Sequence, residues 1–276
     1  MRAAMHIEGE EPKGYVPGLS LGLTRHKLRA LIPRLPAFPS SAGQVVRAAS
    51  SGCIPSEKLV RLAASDPVLA GSFIAAANSG SSSWGGTVGT VQKAAMYLGE
   101  VKGTQVLLRV ALQPVLSVIG HSRLWEHSLE AANVALRLAA NSTQFAEPDA
   151  YVLGLLHDIG ELLFRLAPAE AAAGVETLVS RGLSRPEAEA TVYGASHAQA
   201  GSDILQHWGL PDEYRTAVEF HHNPEATDSA GAALLYLCEQ WTDPADDPCS
   251  DDRLEKARVR LHLPDLAAGM SATPMR

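Results

Sequence analysis

The sequence predicts an all-α fold. Ala and Leu, which favour helix over sheet, are abundant, and aromatic residues make up only 5% of the 276 residues. Apolar residues recur with helical spacing, in segments bounded by the Ser, Asp, Gly and Pro residues that begin and end helices. No segment shows a convincing strand pattern. We therefore expect a multi-helix bundle in which an N-terminal helical subdomain packs on a C-terminal one.

The N-terminal half is predicted to begin with a flexible tail over residues 1–27, since its hydrophobic residues have no period. Prolines at positions 33, 36 and 39 predict an extended segment that ends at a Ser cap. Asp66 followed by Pro67 is typical of a helix start, and Gly99 of a helix end. The predicted helices are 43–50, 56–64, 67–77 and 90–98, followed by an apolar stretch over 101–119 interrupted by Pro114.

The C-terminal half is predicted to contain several further helices. Ser184 can cap a helix that starts with Pro186. Gly209 can end the helix predicted over 197–208. An acidic, Pro-rich extension over 243–276 should contain one short charged helix. The predicted helices are 124–140, 148–166, one beginning at 186, 197–208, 212–221, 229–241 and 253–261.

The composition excludes several classes of protein. The net charge is −7 and no basic stripe occurs, so nucleic-acid binding is not expected. Cys53, Cys238 and Cys249 lie far apart without CxxC spacing, which argues against disulfides and thiolate zinc sites and suits a reducing cytoplasm. No apolar stretch reaches the length of a membrane span, and no secretory leader is present. We expect a cytoplasmic protein without a membrane partner.

The segment Tyr151–Phe164 is the most informative part of the chain. It is apolar on nearly every face, which is typical of a core helix, yet it contains His157 and Asp158 side by side. An unpaired buried charge is strongly unfavourable, so this pair requires a metal, an opposite charge or a hydrogen-bond network. Adjacent helical positions point about 100° apart. The two side chains therefore cannot share a helix face, but both can reach a cavity where several helices converge.

Further histidines and acids lie on or at the ends of the other predicted helices. Neutral imidazoles combined with a carboxylate suit Fe, Mn or Zn, and a bridging carboxylate between two such ions suits attack on a phosphoester. The candidate residues are His127, His157, Asp158, His197, His221, His222 and Glu239.

The order and spacing of these residues resemble the HD superfamily of metal-dependent phosphohydrolases, the HD-GYP cyclic-dinucleotide phosphodiesterases in particular. The resemblance implies one metal held by His127, the His157–Asp158 pair and Glu239, which replaces an aspartate. It implies a second metal that shares Asp158. The matching histidines for that ion are His197, His221 and His222.

Two departures from that pattern argue against catalysis. The phosphodiesterases have a lysine after the HDIG motif, where this chain has Glu161, and a GYP element after the histidine pair, where it has HHNPEATDSAG. Glu161 would repel a phosphate. Asp158 is the candidate catalytic residue if the protein is an enzyme.

The N-terminal half resembles a different branch of the superfamily, the HDOD output domain of bacterial signalling proteins. The matching motifs of this half are the proline spacing over 33–39, SDPVL at 65–69, ANS at 77–79 and VQKAAMYLG at 91–99. Further along the chain, LLHDIG, HWGLP and HH-P also match. The resemblance covers residues 28–242, with subdomains over 28–120 and 121–242. It implies a helical signal-transduction module that acts on a partner protein, mostly without established catalysis. The alternative is a metal-dependent phosphohydrolase.

Structural roles remain open for each candidate residue. His157 and Asp158 could form a hydrogen bond that joins helices, and His221 and His222 could complement a helix dipole. Glu239 could face solvent, and the site could bind one metal, two metals or none. The oligomeric state, the partner and the signal are left open as well.

Overall fold

The computed structural model describes residues 23–50, 52–79, 87–117, 122–243 and 250–263. Within these ranges the chain forms α-helices and two short 3-10 turns, and contains no strand. This confirms the predicted all-α fold. None of the described helices combines the length and apolar character that crossing a bilayer requires.

The N-terminal helices pack around one long central helix. That helix, α5, contacts α2, α3 and α4. It is kinked at Gly99, where a φ of 69° separates two helical segments at the predicted position. Pro114 does not interrupt it. The helices of this half are α1 (Arg25–Arg29), α2 (Ser40–Ala49), α3 (Ser56–Ala64), α4 (Pro67–Ser79) and α5 (Val91–Ser117), with a 3-10 turn at Ile32–Arg34.

The C-terminal helices form the second half of the bundle. The pairs α6 with α7 and α11 with α12 make extensive contacts, and α13 packs on α6, α7, α12 and α14. The helices are α6 (Ser122–Ala139), α7 (Glu147–Leu156), α8 (Glu161–Phe164), α9 (Ala169–Ser180), α10 (Arg185–Tyr193), α11 (His197–His207), α12 (Asp212–Glu219), α13 (Ala230–Thr242) and α14 (Asp251–Arg260), with a 3-10 turn at Pro224–Ala226. One hydrophobic core extends through both halves.

Side-chain caps begin several helices where the sequence predicts them. Asp66 Oδ1 accepts hydrogen bonds from the backbone N–H groups of Val68 and Leu69. Ser184 and Glu187 form a capping box at the start of α10. The N-terminal caps of α4 and α10 were therefore predictable from local sequence alone.

Other boundaries differ from the prediction. The helix expected over 43–50 begins at Ser40, because Pro39 occupies its N-cap without any Ser side-chain cap. Helix α1 begins at Arg25, within the segment expected to be a tail, since tertiary ion pairs hold it; residues 1–22 lie outside the described residues. Helix α9 was not predicted.

The single helix predicted over 148–166 is wrong. Helix α7 ends at Leu156, residues 157–160 form a tight turn, and α8 begins at Glu161. A Cβ at Gly160 would lie 1.9 Å from the carbonyl oxygen of His197, so only glycine allows this turn to approach α11 so closely. The HD pair therefore lies in a buried turn between two helices.

Candidate metal centre

Five structural elements bring the seven candidate side chains to one place. His127 lies in the middle of α6, and His157 and Asp158 form the turn after α7. His197 is the first residue of α11, next to its capping residue Ser196. His221 and His222 follow α12, and Glu239 lies in the last turns of α13.

The first cluster contains His127, His157, Asp158 and Glu239. The two imidazole Nε2 atoms lie 3.0 Å apart, and each is 3.2 Å from Asp158 Oδ2. Glu239 Oε1 lies 2.6 Å from Nε2 of His157 and 3.5 Å from Nε2 of His127. Such a group of converging donor atoms could hold one metal ion.

The second cluster consists of three histidines. Nε2 of His197 lies 2.8 Å from Nε2 of His222 and 3.3 Å from Nε2 of His221. These three ring atoms form a second group that could hold a metal ion.

Asp158 lies between the two clusters. Its Oδ2 faces the first cluster, while its Oδ1 lies 3.5 Å from Nε2 of His197 and 3.8 Å from Nε2 of His221. A carboxylate with one oxygen directed at each of two donor groups has the arrangement that a bridging ligand requires.

Hydrogen bonds on the opposite ring nitrogens orient three of the imidazoles. Nδ1–H of His157 donates to the Gly154 carbonyl at 2.9 Å, and Nδ1–H of His221 donates to the Val218 carbonyl at 2.7 Å. These acceptors fix the proton on Nδ1 and leave a lone pair on Nε2. When these imidazoles are neutral, the converging Nε2 atoms therefore present the lone pairs that bind metal ions.

Glu189 performs this role for His197 and was missed by the sequence analysis. Its Oε2 accepts from Nδ1–H of His197 at 2.7 Å and from the backbone N–H of the same residue at 2.8 Å. The side chain is buried on α10, although the sequence around it is that of a polar, capped helix. No local signal distinguishes Glu189 from Glu187, which caps the helix instead.

Burial and charge act on the site in opposite directions. Burial opposes the charge of His127, but the Asp158 and Glu239 carboxylates near its Nε2 outweigh this and raise its pKa to about 10. Burial also opposes the charge of His197, and the Glu189 carboxylate raises that pKa to about 10. For Asp158, burial is outweighed by the neighbouring imidazoles, His157 first among them, and its pKa is held well below the usual range.

His221 behaves differently from the other imidazoles. Burial and the neighbouring histidines hold its pKa well below the ordinary value, so this ring stays neutral. Glu239 resembles Asp158: His157 overcomes the effect of burial and lowers its pKa. Two buried carboxylates thus attract positive charge into a centre that also contains a neutral imidazole.

The donor set fits a divalent transition metal. His197 and His221 each donate through Nδ1, so their Nε2 lone pairs face each other at 3.3 Å, an arrangement that needs a proton or a cation between them. Within the described part of the chain, the buried Glu239 Oε1 makes no hydrogen bond of ordinary geometry despite its short distance to His157. Imidazoles with carboxylates suit Fe, Mn or Zn.

The centre is nearly closed to solvent. The side chain of His127 is 19% exposed, that of Asp158 is 12% exposed, and His157 and His221 are fully buried. The expectation that Glu239 could face solvent is wrong, because this residue is buried on α13. Glu161 lies at the first position of α8, where burial and the nearby Asp158 raise its pKa.

Comparison with known proteins identifies the family. The family model for the HDOD domain matches residues 35–224 of this chain. The chain belongs to the HDOD family. This confirms the resemblance that the N-terminal and C-terminal motifs predict, and the matched range lies inside the expected domain over 28–242.

Solved HDOD-like structures share the fold. An HDOD domain protein of unknown function from Geobacter sulfurreducens superposes with a TM-score of 0.71 at 20% identity, covering 86% of this chain and 90% of that one. A provisionally named phosphohydrolase from Shewanella amazonensis SB2B gives a TM-score of 0.66 at 22% identity, with coverage of 86% and 88%. A provisionally named signal transduction protein from Marinobacter aquaeolei VT8 gives 0.69 at 23% identity, with coverage of 90% and 62%.

An uncharacterised protein of Treponema pallidum (strain Nichols) is 27% identical over 197 residues, which is 70% of this chain. The matched part spans only 38% of the length of that relative. At these levels of identity the solved structures establish the HDOD fold, while the function must be argued from the site.

Proposed function

We propose that this HDOD protein is a cytoplasmic regulatory module of bacterial signal transduction that acts through contact with a partner protein. In this proposal a dinuclear metal centre joins the elements of its C-terminal half. The Marinobacter protein of the same fold is provisionally named a signal transduction protein, and the Geobacter protein is an HDOD protein without known function. The name of the Marinobacter protein agrees with a regulatory role.

The observation that carries the proposal is the position of Asp158 between two donor clusters in a nearly solvent-free centre. One ion would be held by His127, His157, Asp158 and Glu239. The other would share Asp158 and add the second cluster, His197, His221 and His222. Since these residues come from five elements, bound ions would link all five, and metal occupancy would control how firmly the C-terminal helices pack.

The low exposure of the centre favours regulation over turnover. A phosphoester must approach the ions directly, whereas the described ligands of the first cluster are at least four-fifths buried. Glu161, which follows the HDIG motif, adds a carboxylate where a phosphate-binding lysine would help catalysis. Both features suit metal ions with a structural or regulatory task.

The second candidate function is a metal-dependent phosphohydrolase. It is favoured by the completeness of the two donor sets and by the orientation of both Asp158 oxygens. Bound ions would supply Lewis-acid activation of a phosphoester. The cyclic dinucleotides and other nucleotides are the substrate classes that the family resemblance implies.

Elemental analysis of freshly purified protein, combined with phosphodiesterase assays, tests both functions. We expect about two Fe, Mn or Zn ions per chain and no turnover of cyclic dinucleotides. His157→Ala should lose metal, whereas His207→Ala, an exposed histidine on α11, should retain it. Absence of stoichiometric metal from the wild type would reject the metal centre. Robust turnover that His157→Ala abolishes would reject the regulatory role and establish the hydrolase.

A further inference from the structure

The contact between α6 and α7 lies one helical turn from the first cluster. His127 and Ala131 are four residues apart on α6, and Gly154 on α7 is three residues before the cap residue His157. Residues at these spacings lie on the same face of a helix, one turn apart. Nε2 of His127 lies 3.0 Å from Nε2 of His157. The same two helix faces meet again at Gly154 and Ala131.

The backbone of α6 occupies the space that a side chain on Gly154 would need. A Cβ there would lie 2.5 Å from Cα and 2.6 Å from the backbone nitrogen of Ala132, and 2.9 Å from the carbonyl carbon of Ala131. Nonbonded carbon atoms pack at about 3.5–4.0 Å. These backbone atoms lie within a helix and cannot turn aside as the end of a side chain can. The absence of a side chain at Gly154 therefore sets how closely α6 and α7 approach.

The separation of these two helices decides whether His127 reaches the first cluster. Of the seven candidate ligands, only His127 lies on α6, whereas His157 and Asp158 follow α7. Nε2 of His127 lies 3.2 Å from Asp158 Oδ2 and 3.5 Å from Glu239 Oε1. Metal–ligand distances have to be met within about 0.2 Å. Moving α6 away from α7 by about 1 Å, as a Cβ on Gly154 requires, would remove His127 from the donor set.

The second cluster does not depend on the position of α6. His197 begins α11, and His221 and His222 follow α12. The carboxylate that faces these histidines, Asp158, belongs to the turn after α7. A displacement of α6 should therefore act on the first cluster and leave the second in place. This difference separates a positioning role of Gly154 from a general effect on stability.

We propose that Gly154 is a positioning residue of the metal centre, which holds His127 at the distance that completes the first cluster by letting α6 approach α7 without a side chain between them. The carbonyl of the same residue accepts the Nδ1–H of His157 at 2.9 Å. Gly154 thus orients one imidazole and sets the reach of the other. The arrangement of the rings is a property of the metal-free protein, whereas the effect on ion binding rests on the proposed metal centre.

Nuclear Overhauser effects between histidine rings test the positioning in chelator-treated protein with isotope-labelled histidine. The ring centroids of His127 and His157 are 5.0 Å apart, close enough for an effect between their ring protons. Gly154→Ala should weaken this effect about threefold, because the effect falls with the sixth power of a distance that grows by about 1 Å. The rings of His197 and His221, 5.2 Å apart, are the internal reference and should keep their effect.

Gly103→Ala is the matched control variant. A Cβ on Gly103, in α5, would also meet a close neighbour, Leu59 Cδ1 at 2.8 Å, but this contact lies in the N-terminal half of the bundle. The Gly103→Ala protein should therefore keep both ring effects, even if its thermal stability falls. If Gly154→Ala does not fold, Ala131→Val takes its place, since Ala131 is fully buried on the α6 side of the same contact.

Titration with Mn²⁺, followed by electron paramagnetic resonance, tests the effect on ion binding. The wild type and Gly103→Ala should bind about two ions per chain, with spectra coupled through the Asp158 carboxylate. Gly154→Ala should bind the ion of the first cluster about tenfold or more weakly and show one uncoupled ion at the second cluster. His127→Ala should show the same pattern, although Gly154 itself has no side chain to offer a metal.

The outcomes distinguish the positioning role from the metal centre itself. An unchanged effect between the His127 and His157 rings in Gly154→Ala would overturn the proposal. Equal weakening of the His197–His221 effect would overturn it as well, because the change would then be a general loosening of the bundle. Absence of Mn²⁺ binding by the wild type would reject the proposed metal centre, while the ring effects of the metal-free protein would still decide the role of Gly154.

Discussion

At the scale of single residues, Glu189 illustrates how a buried carboxylate can define the donor atom of an imidazole. By accepting the Nδ1 proton of His197, it leaves the Nε2 lone pair directed at His221 and His222. Carboxylates in this outer position usually matter nearly as much as the ligands that they orient. Glu189 is therefore expected to be a positioning residue of the metal centre.

Glu189→Gln should weaken metal binding at the second cluster about 10- to 100-fold, because the amide removes the negative charge that supports the imidazole. Chelator competition on the purified protein measures this, with the metal content of the first cluster as an internal reference. Glu170→Gln, an exposed glutamate on α9, is the control and should behave as the wild type. Unchanged affinity in the Glu189→Gln protein would contradict the assigned role.

At the scale of elements, the short helix α1 is attached to the helices that carry the second cluster. Arg25 Nε lies 2.9 Å from Asp203 Oδ2 on α11, and its Nη2 lies 3.2 Å from Glu219 Oε1 on α12. The backbone of α1 also contacts Gly194, where a Cβ would lie 2.5 Å from Thr24 Cα. Helix α1 therefore links α11 and α12 through the ion pairs of Arg25.

Arg25→Ala should lower the free energy of unfolding by about 1–3 kcal/mol, because buried Asp203 would keep only its longer, 3.7 Å contact to Arg29. The loss should stay below that of a fully buried pair, since the Arg25 side chain is 36% exposed. Denaturant unfolding measures the change, and hydrogen exchange over residues 24–29 should show that α1 detaches.

Arg34→Ala, at an exposed position of the neighbouring 3-10 turn, is the control for this variant and should change stability by less than about 0.5 kcal/mol. Equal stability of the two proteins would mean that the ion pairs of Arg25 do not hold α1 in place.

At the scale of the whole molecule, the charges of the centre predict how stability depends on pH. In the absence of a cation, the native pKa of both His127 and His197 is about 10, well above the ordinary value of 6.5. Above pH 6.5 the native state then binds more protons than the unfolded state, so the stability from these histidines is lost as pH rises toward 10. His221, whose pKa is lowered, is neutral in both states over this window and adds no slope.

Chelator-treated protein should therefore become less stable between pH 7 and pH 10. Metal binding requires neutral imidazoles, so added Mn²⁺ or Zn²⁺ should restore stability, and its effect should grow as pH rises. Denaturant unfolding at several pH values, with and without metal, measures both trends. His157→Ala should show no metal-dependent gain. If the stability of the chelator-treated wild-type protein rises between pH 7 and pH 10, the assigned charge states are contradicted.

Local sequence was sufficient for many of the helices. Asp66 and Ser184 mark helix starts because their side chains satisfy free backbone N–H groups, and Gly99 ends a helix because it adopts a positive φ readily. These effects act within a few residues. Helix α1 escaped prediction because its partners, Asp203 and Glu219, are far away in the chain.

By itself, the sequence determined the all-α fold, the HDOD resemblance and the identity of the seven side chains that converge. The tertiary structure decided that His157 and Asp158 lie in a turn rather than in a helix, and that this turn packs at Gly160 directly on the backbone of α11. It also decided that Asp158 faces both clusters and that Glu189 supports His197. The physical reason is the same in each case: these contacts join residues from different helices, whose spacing depends on how the helices pack rather than on local sequence.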